Sequence, residues 1–165
     1  MVSSRLLTNR RALLGLGSLV SLAAVGAALV SQYAYGMAPC PWCILQRVIF
    51  LAIALVCGLG WLGRGAVWQR TMAAIAGLLS ASGVAAAVYQ NTVAAKAFSC
   101  NLTLADRIIT ALGLEGAVPF LFRIEASCAD AAVTLLGLPY ESWSGALFAV
   151  MAVVAAWLVL RRNAD

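Results

Sequence analysis

Long runs without a charged residue organise this chain. They cover 12–46, 48–63, 71–95 and 142–160. A helix that crosses a membrane needs about 20 mostly apolar residues. The pattern therefore predicts four spans, at about 12–30, 43–62, 71–90 and 144–160, with Arg47 near one end of the second. The connections are unequal. Residues 31–42 make a short loop and 91–143 a long one. The first run, preceded by Arg5, Arg10 and Arg11, also fits the description of a signal peptide. It is longer than the roughly 7–15 residues of a signal core, so an uncleaved anchor is the expectation.

The long loop carries its own pattern. Thr103-Leu-Ala-Asp106 resembles a capping box with Asp in the acidic place. Leu104, Ile108, Ile109 and Leu112 follow at the spacing of one helical face, and Gly113 is a plausible stop. A short amphipathic helix is expected here, either on the membrane surface or packed on its own loop. Pro119-Phe120-Leu121-Phe122 offers a second apolar contact with the interface. The fold class expected is an all-α membrane protein: a four-transmembrane-helix bundle with a long periplasmic second loop, forming one integral membrane domain over 1–165.

Composition agrees with this picture. Of 165 residues, 64% are hydrophobic and 10% charged, against about 45–50% and about 25% in soluble domains. A soluble domain of this size has no core large enough for so much apolar surface. The absence of histidine excludes a histidine-based triad and histidine-ligated zinc. The net charge of +5 reads as topology once placed. Arg5, Arg10 and Arg11, then Arg64 and Arg70, then Arg161 and Arg162 flank the spans on one side, while 91–143 is mildly acidic. The positive-inside rule makes both termini and the 64–70 loop cytoplasmic and directs 31–42 and 91–143 outward.

Topology then sorts the five cysteines. Cys57 falls mid-span, where a cysteine serves as a small apolar side chain. Cys40, Cys43, Cys100 and Cys128 lie outward or at the outer membrane edge, in a compartment where disulfides persist. Cys40-Pro41-Trp42-Cys43 is a C-x-x-C motif whose small ring suits reversible redox chemistry. Pro41 is at home in a first helical turn, which puts Cys43 near a helix N-terminus that favours a thiolate. Cys100 and Cys128 are 28 positions apart. A bridge between them is either a staple worth roughly 3–4 kcal/mol or a second redox pair. Four cysteines are also a zinc set in principle, but these four join the membrane edge to a loop, and no metal is expected.

Arg47 follows Cys43 by one helical turn, on the same face at about 5–6 Å between Cβ atoms. A charge there either snorkels to headgroups or serves a site, and the functional reading has it stabilise the Cys43 thiolate and a polar ligand group. Gln46 shares that turn and can hydrogen bond. Together these residues describe an electron route. A soluble dithiol attacks a loop disulfide by thiolate exchange, the electrons pass to the C-x-x-C pair, and a lipid-soluble acceptor at the bilayer edge takes them. A quinone suits that position, with Arg47 stabilising the charge that develops on its oxygen.

The stretch Pro39-Cys40-Pro41-Trp42-Cys43-Ile44-Leu45-Gln46-Arg47 resembles the signature of the disulfide bond formation protein B (DsbB) family. So does the ending Cys128, Leu135-Leu136-Gly137-Leu138-Pro139, Trp143-Ser144. The resemblance implies a bacterial inner-membrane enzyme that reoxidises a periplasmic DsbA-like thioredoxin-fold oxidase and passes the electrons to ubiquinone or menaquinone. It implies that Cys40–Cys43 is the quinone-coupled pair with Cys43 nearest the ring, and that Arg47 is the site's cation. It further implies that Cys100–Cys128 is the loop pair, with Cys100 forming the mixed disulfide with the partner. The chain lacks the histidine that some relatives carry near the quinone at the outer end of span three. Residues 129–134 also lack the aromatic residue that many relatives have after the last cysteine.

Three other functions compete. A vitamin-K-epoxide-reductase-like enzyme has its loop cysteines before the C-x-x-C, the reverse of the order here. A tetraspan scaffold with structural disulfides has no need of a C-x-x-C at a helix start followed by Gln-Arg. A DsbB paralogue serving a dedicated oxidase shares every feature described.

Overall fold

The computed structural model describes residues 9–96, 103–131, 133–135 and 137–161. Four long helices dominate: α1 (Arg10–Tyr35), α2 (Pro41–Leu62), α3 (Ala66–Thr92) and α7 (Tyr140–Leu160). All four are long and apolar enough to cross a membrane. They extend the sequence-based spans by up to five residues at an end, because polar residues such as Gln32, Gln90 and Glu141 continue the helices instead of ending them. The outward faces of α1 and α7 expose Leu19, Val30, Val150 and Val153, an apolar surface suited to the hydrocarbon of a bilayer.

Helix ends are closed by local chemistry. Gly36, in the left-handed region at φ 65, ends α1 and donates its N–H to the carbonyl of Ser31. At the far end of the bundle from the cysteines, arginines meet the free carbonyls of helix C-termini, where a cation opposes the helix dipole. Arg11 Nε donates to the Trp61 carbonyl at 2.6 Å and Arg70 Nε to that of Val159 at 2.8 Å.

The helices pack in the order α1, α2, α3, α7, with broad contacts between successive members and little between α1 and α7. Glycines permit the close contacts. A Cβ on Gly83 would lie 2.5 Å from Cδ1 of Phe148, and Phe148 stacks on Phe50 with centroids 3.9 Å apart. Gly58 and Gly77 likewise face Ser18 and Ala155 inside the bundle.

The long loop holds α4 (Leu104–Ala111), α5 (Leu114–Ala117), α6 (Pro119–Phe122) and a two-residue ladder between β1 (Thr134–Leu135) and β2 (Leu138–Pro139). This ladder is the one departure from all-α among the described residues. The capping box is present in both directions: Thr103 N–H donates to Asp106 Oδ2 at 2.7 Å and Asp106 N–H to Thr103 Oγ1 at 3.4 Å. Gly113, at φ 61, turns the chain after α4. Half of the expected face of α4 is buried, with Ile109 buried and Ile108 partly so. Ala105 and Ile109 face inward, Ile109 onto Ile44 and Phe122, whereas Leu104 and Leu112 are exposed. Packing against α2 chose the face. α6 is tied down by Tyr33, whose ring stacks on Phe120 at 5.0 Å and whose hydroxyl donates to the Phe120 carbonyl at 2.7 Å.

Candidate functional site

The C-x-x-C motif is the start of α2. Cys40 is the N-cap, Pro41 the first helical residue and Cys43 the third, with the Cys43 N–H donating to Cys40 Sγ at 3.4 Å. Proline fits because the first turn has no use for its missing N–H. A sulfur in the capping place faces the unsatisfied donors of the first turn. Cys40 is fully buried, and its Sγ lies 2.9 Å from that of Cys43, both as thiols.

Cys128 completes a cluster of three sulfurs. Its segment is held to the first loop by the backbone N–H groups of Glu125 and Ala126, which donate to the Pro39 carbonyl at 3.0 and 3.3 Å. This seats Cys128 against Cys40, to which it is hydrogen bonded, and beneath the N–H of Trp42. The bond to Cys128, the bond to Cys43 and burial hold the Cys40 thiol far above the ordinary cysteine range. The same bond from Cys40, with the Trp42 N–H and against the effect of burial, holds Cys128 below it. Cys128 is thus the sulfur that favours a thiolate and Cys40 the one that keeps its proton. The expected partner of Cys128, Cys100, lies outside the described residues. Cys57 is buried mid-span against Gly17.

Polar side chains from three helices converge on Cys43. Gln90 Nε2, at the loop end of α3, donates to Cys43 Sγ at 3.3 Å, and Gln46 Nε2 donates to Gln90 Oε1 at 2.7 Å. Ser144 on α7 donates its hydroxyl to Gln46 Oε1. Arg47 is buried on the same helix face as Cys43. It donates to Gln32 Oε1 at 2.8 Å and to the carbonyls of Leu121 and Ala28 at 3.2 and 3.3 Å. Arg47 therefore does not snorkel. It binds α1 and the loop helix α6 to the C-x-x-C helix. Gln46 meets Cys43 through Gln90, a link that helix spacing alone does not reveal.

Between α1 and α7, where the bundle is least closed, lies a cavity of about 370 Å³. Cys43, Gln46 and Arg47 stand on its α2 wall. Ala24, Ala27 and Ala28 make the α1 wall, and Phe50 and Leu147 add apolar surface. Small side chains on one helix and hydrogen-bond donors on the next suit a flat ring with carbonyl acceptors and an apolar tail, and the volume falls in the range of small-molecule sites. Gln32, Gln90, Ser144 and Glu141 are site residues that pattern reading passed over. Their signal was present as polar residues inside or at the edge of apolar runs, a placement that usually marks function in membranes.

Fold and site define a class: a multi-pass membrane protein with a cysteine cluster at its helix ends beside a largely apolar cavity. Comparison with known proteins gives the family. The model for "Disulfide bond formation protein DsbB" matches residues 10–158. Disulfide bond formation protein B of Stutzerimonas stutzeri is 33% identical over 95% of this chain and 99% of that protein. That of Paracidovorax citrulli is 32% identical over 98% and 93%, and disulfide bond formation protein B 1 of Pseudomonas fluorescens is 34% identical over 94% and 91%. The chain belongs to the DsbB family and is a disulfide-generating membrane protein.

Proposed function

We propose that this protein is a thiol:quinone oxidoreductase of the bacterial inner membrane, a single membrane domain with both termini cytoplasmic. In this reading it reoxidises a periplasmic DsbA-like dithiol oxidase and delivers the electrons to ubiquinone or menaquinone. The observation that carries the proposal is the meeting of Cys128, Cys40 and Cys43 in one buried line that ends on the cavity.

The residues divide the work. Cys100, in the resting Cys100–Cys128 disulfide, takes the attack of the partner's thiolate, and Cys128 leaves as a thiolate. Cys128 attacks Cys40 of the Cys40–Cys43 disulfide, forming Cys128–Cys40 and releasing Cys43 as a thiolate at the helix N-terminus under the Gln90 N–H. The Trp42 N–H, which favours a thiolate at Cys128 whether or not Cys40 carries a proton, suits that attack, since the thiolate is the nucleophile. Cys43 faces the cavity with Arg47 beside it. A bound quinone supplies the two-electron acceptor there, and Arg47 and Gln46 orient it and stabilise negative charge on its oxygen. Quinone type follows the cell's pool.

Alkylation trapping in membranes tests this. Cys40–Cys43 and Cys100–Cys128 are expected oxidised when quinone is present and reduced when it is depleted. Redox states indifferent to quinone would sink the enzyme reading in favour of a scaffold with structural disulfides.

A further inference from the structure

Glu141, which the electron route above leaves unused, lines the cavity from the first turn of α7. It is buried, 6% exposed, and one carboxylate oxygen accepts a hydrogen bond from Asn91 Nδ2 on α3 at 3.0 Å. The titratable side chains among the described cavity residues are Cys43 and Arg47 on α2 and Tyr140 and Glu141 on α7. The α3 neighbours, Gln90 and Asn91, are neutral, as is Ser31, which meets the Tyr140 hydroxyl from α1. A guanidinium keeps its proton, the Tyr140 hydroxyl donates its own to Ser31 Oγ at 3.2 Å, and Cys43 is the reacting sulfur. With no histidine in the chain, the carboxyl of Glu141 is the cavity group left for proton exchange.

We propose that Glu141 is the proton-handling residue of this cavity, exchanging a proton with an oxygen of the bound quinone while Cys40 and Cys43 pass from dithiol to disulfide. The inference rests on the quinone reading above. The balance is two S–H bonds broken, one S–S bond formed, and two electrons with two protons delivered to the quinone, which departs as hydroquinone. Arg47 compensates charge without giving up a proton, Glu141 carries one of the two, and the second reaches the other quinone oxygen from water at the cavity edge. Glu141 refills from water at the same edge, where the thiol protons are also released. Asn91 holds the carboxyl in place and so is a positioning residue.

The test uses the full chain in detergent with a short-tailed ubiquinone and dithiothreitol, comparing wild type with Glu141→Gln and Glu141→Asp. Glutamine keeps the shape and the bond to Asn91 but has no exchangeable carboxyl proton. Expected for Glu141→Gln is a fall in turnover of roughly 100-fold, the lower range for general acid–base catalysis, with a flattened pH profile and quinone affinity near that of wild type. Glu141→Asp should recover part of the rate. Infrared difference spectra of wild type, reduced against oxidised, should show a carboxyl band that shifts in heavy water and vanishes in Glu141→Gln. The inference is overturned if Glu141→Gln keeps wild-type turnover and pH profile, or if the wild-type spectra lack a carboxyl band, a measurement that needs no folded variant. Wild type that fails to oxidise dithiol with quinone would instead overturn the quinone reading itself.

Discussion

Replacing Arg47 by Met separates what the buried cation does for the fold from what it does for the site. Methionine has similar length and no charge. Its substitution strands the Gln32 side-chain carbonyl and the Leu121 backbone carbonyl, at about 1–3 kcal/mol each. The Ala28 carbonyl lies within α1 and keeps its place in the helical ladder. Against this loss of about 2–6 kcal/mol stands the relief of burying a guanidinium whose hydrogen-bond partners are all neutral oxygens, itself worth several kcal/mol. The two nearly cancel, so the midpoint of thermal unfolding in detergent should move by only a few degrees. Quinone reduction should not survive. Losing one preorganised group that stabilises developing charge costs about 10²–10³ in rate. The assay pairs thermal unfolding with the absorbance change of quinone reduction, and adds alkylation trapping of Cys40 and Cys43. Arg47→Met should leave the C-x-x-C pair reduced even with quinone present. A variant that unfolds many degrees earlier yet reduces quinone at the wild-type rate while folded would refute this reasoning and make Arg47 a structural tie.

Three further outcomes are expected. Cys100→Ala should stop oxidation of the soluble partner while leaving Cys40–Cys43 oxidisable by quinone, and partner oxidation that persists in pulse assays would reassign the entry cysteine. In the reduced protein the hydrogen bond from the Cys40 thiol lowers the Cys128 thiol, so its thiolate persists as pH falls below the ordinary cysteine range, and alkylation of Cys128 in the reduced Cys100→Ala chain should persist with it. Alkylation of Cys128 that dies away at the pH of a free thiol contradicts that. Gly83→Val places a side chain into Phe148, and overpacking of this kind costs about 1–3 kcal/mol, read as a lower unfolding midpoint. An unchanged midpoint would mean the Phe50–Phe148 stack yields freely.

Much of this architecture is local, and local features are legible along a chain. The four spans follow from uncharged length, because a bilayer demands that each crossing satisfy its own backbone. The capping box at Thr103 and Asp106, the stop at Gly113 and the placing of Cys40 and Cys43 at a helix start are decided within a few residues, so spacing reveals them. The role of Arg47 was half visible. Its position beside Cys43 follows from the 3.6-residue turn, whereas its hold on Gln32 and Leu121 joins segments 15 and 74 positions away. Similarly, α4 was predictable as a helix and Ile108 and Ile109 as inward residues, but packing against α2 decided that Ala105 joins them while Leu104 and Leu112 stay exposed.

Sequence by itself determined the four long helices and the placing of Cys40 and Cys43 at a helix start, because those depend on composition, period and neighbours in the chain. Only the tertiary structure decided that Cys128 rests on Cys40, that Gln90 and Ser144 reach the Cys43 turn, and that α1 and α7 stand apart to leave a cavity with Glu141 in its wall. Each of these is a contact between distant segments, set by how glycines and alanines let the helices approach and by where the long loop is tied back to Pro39.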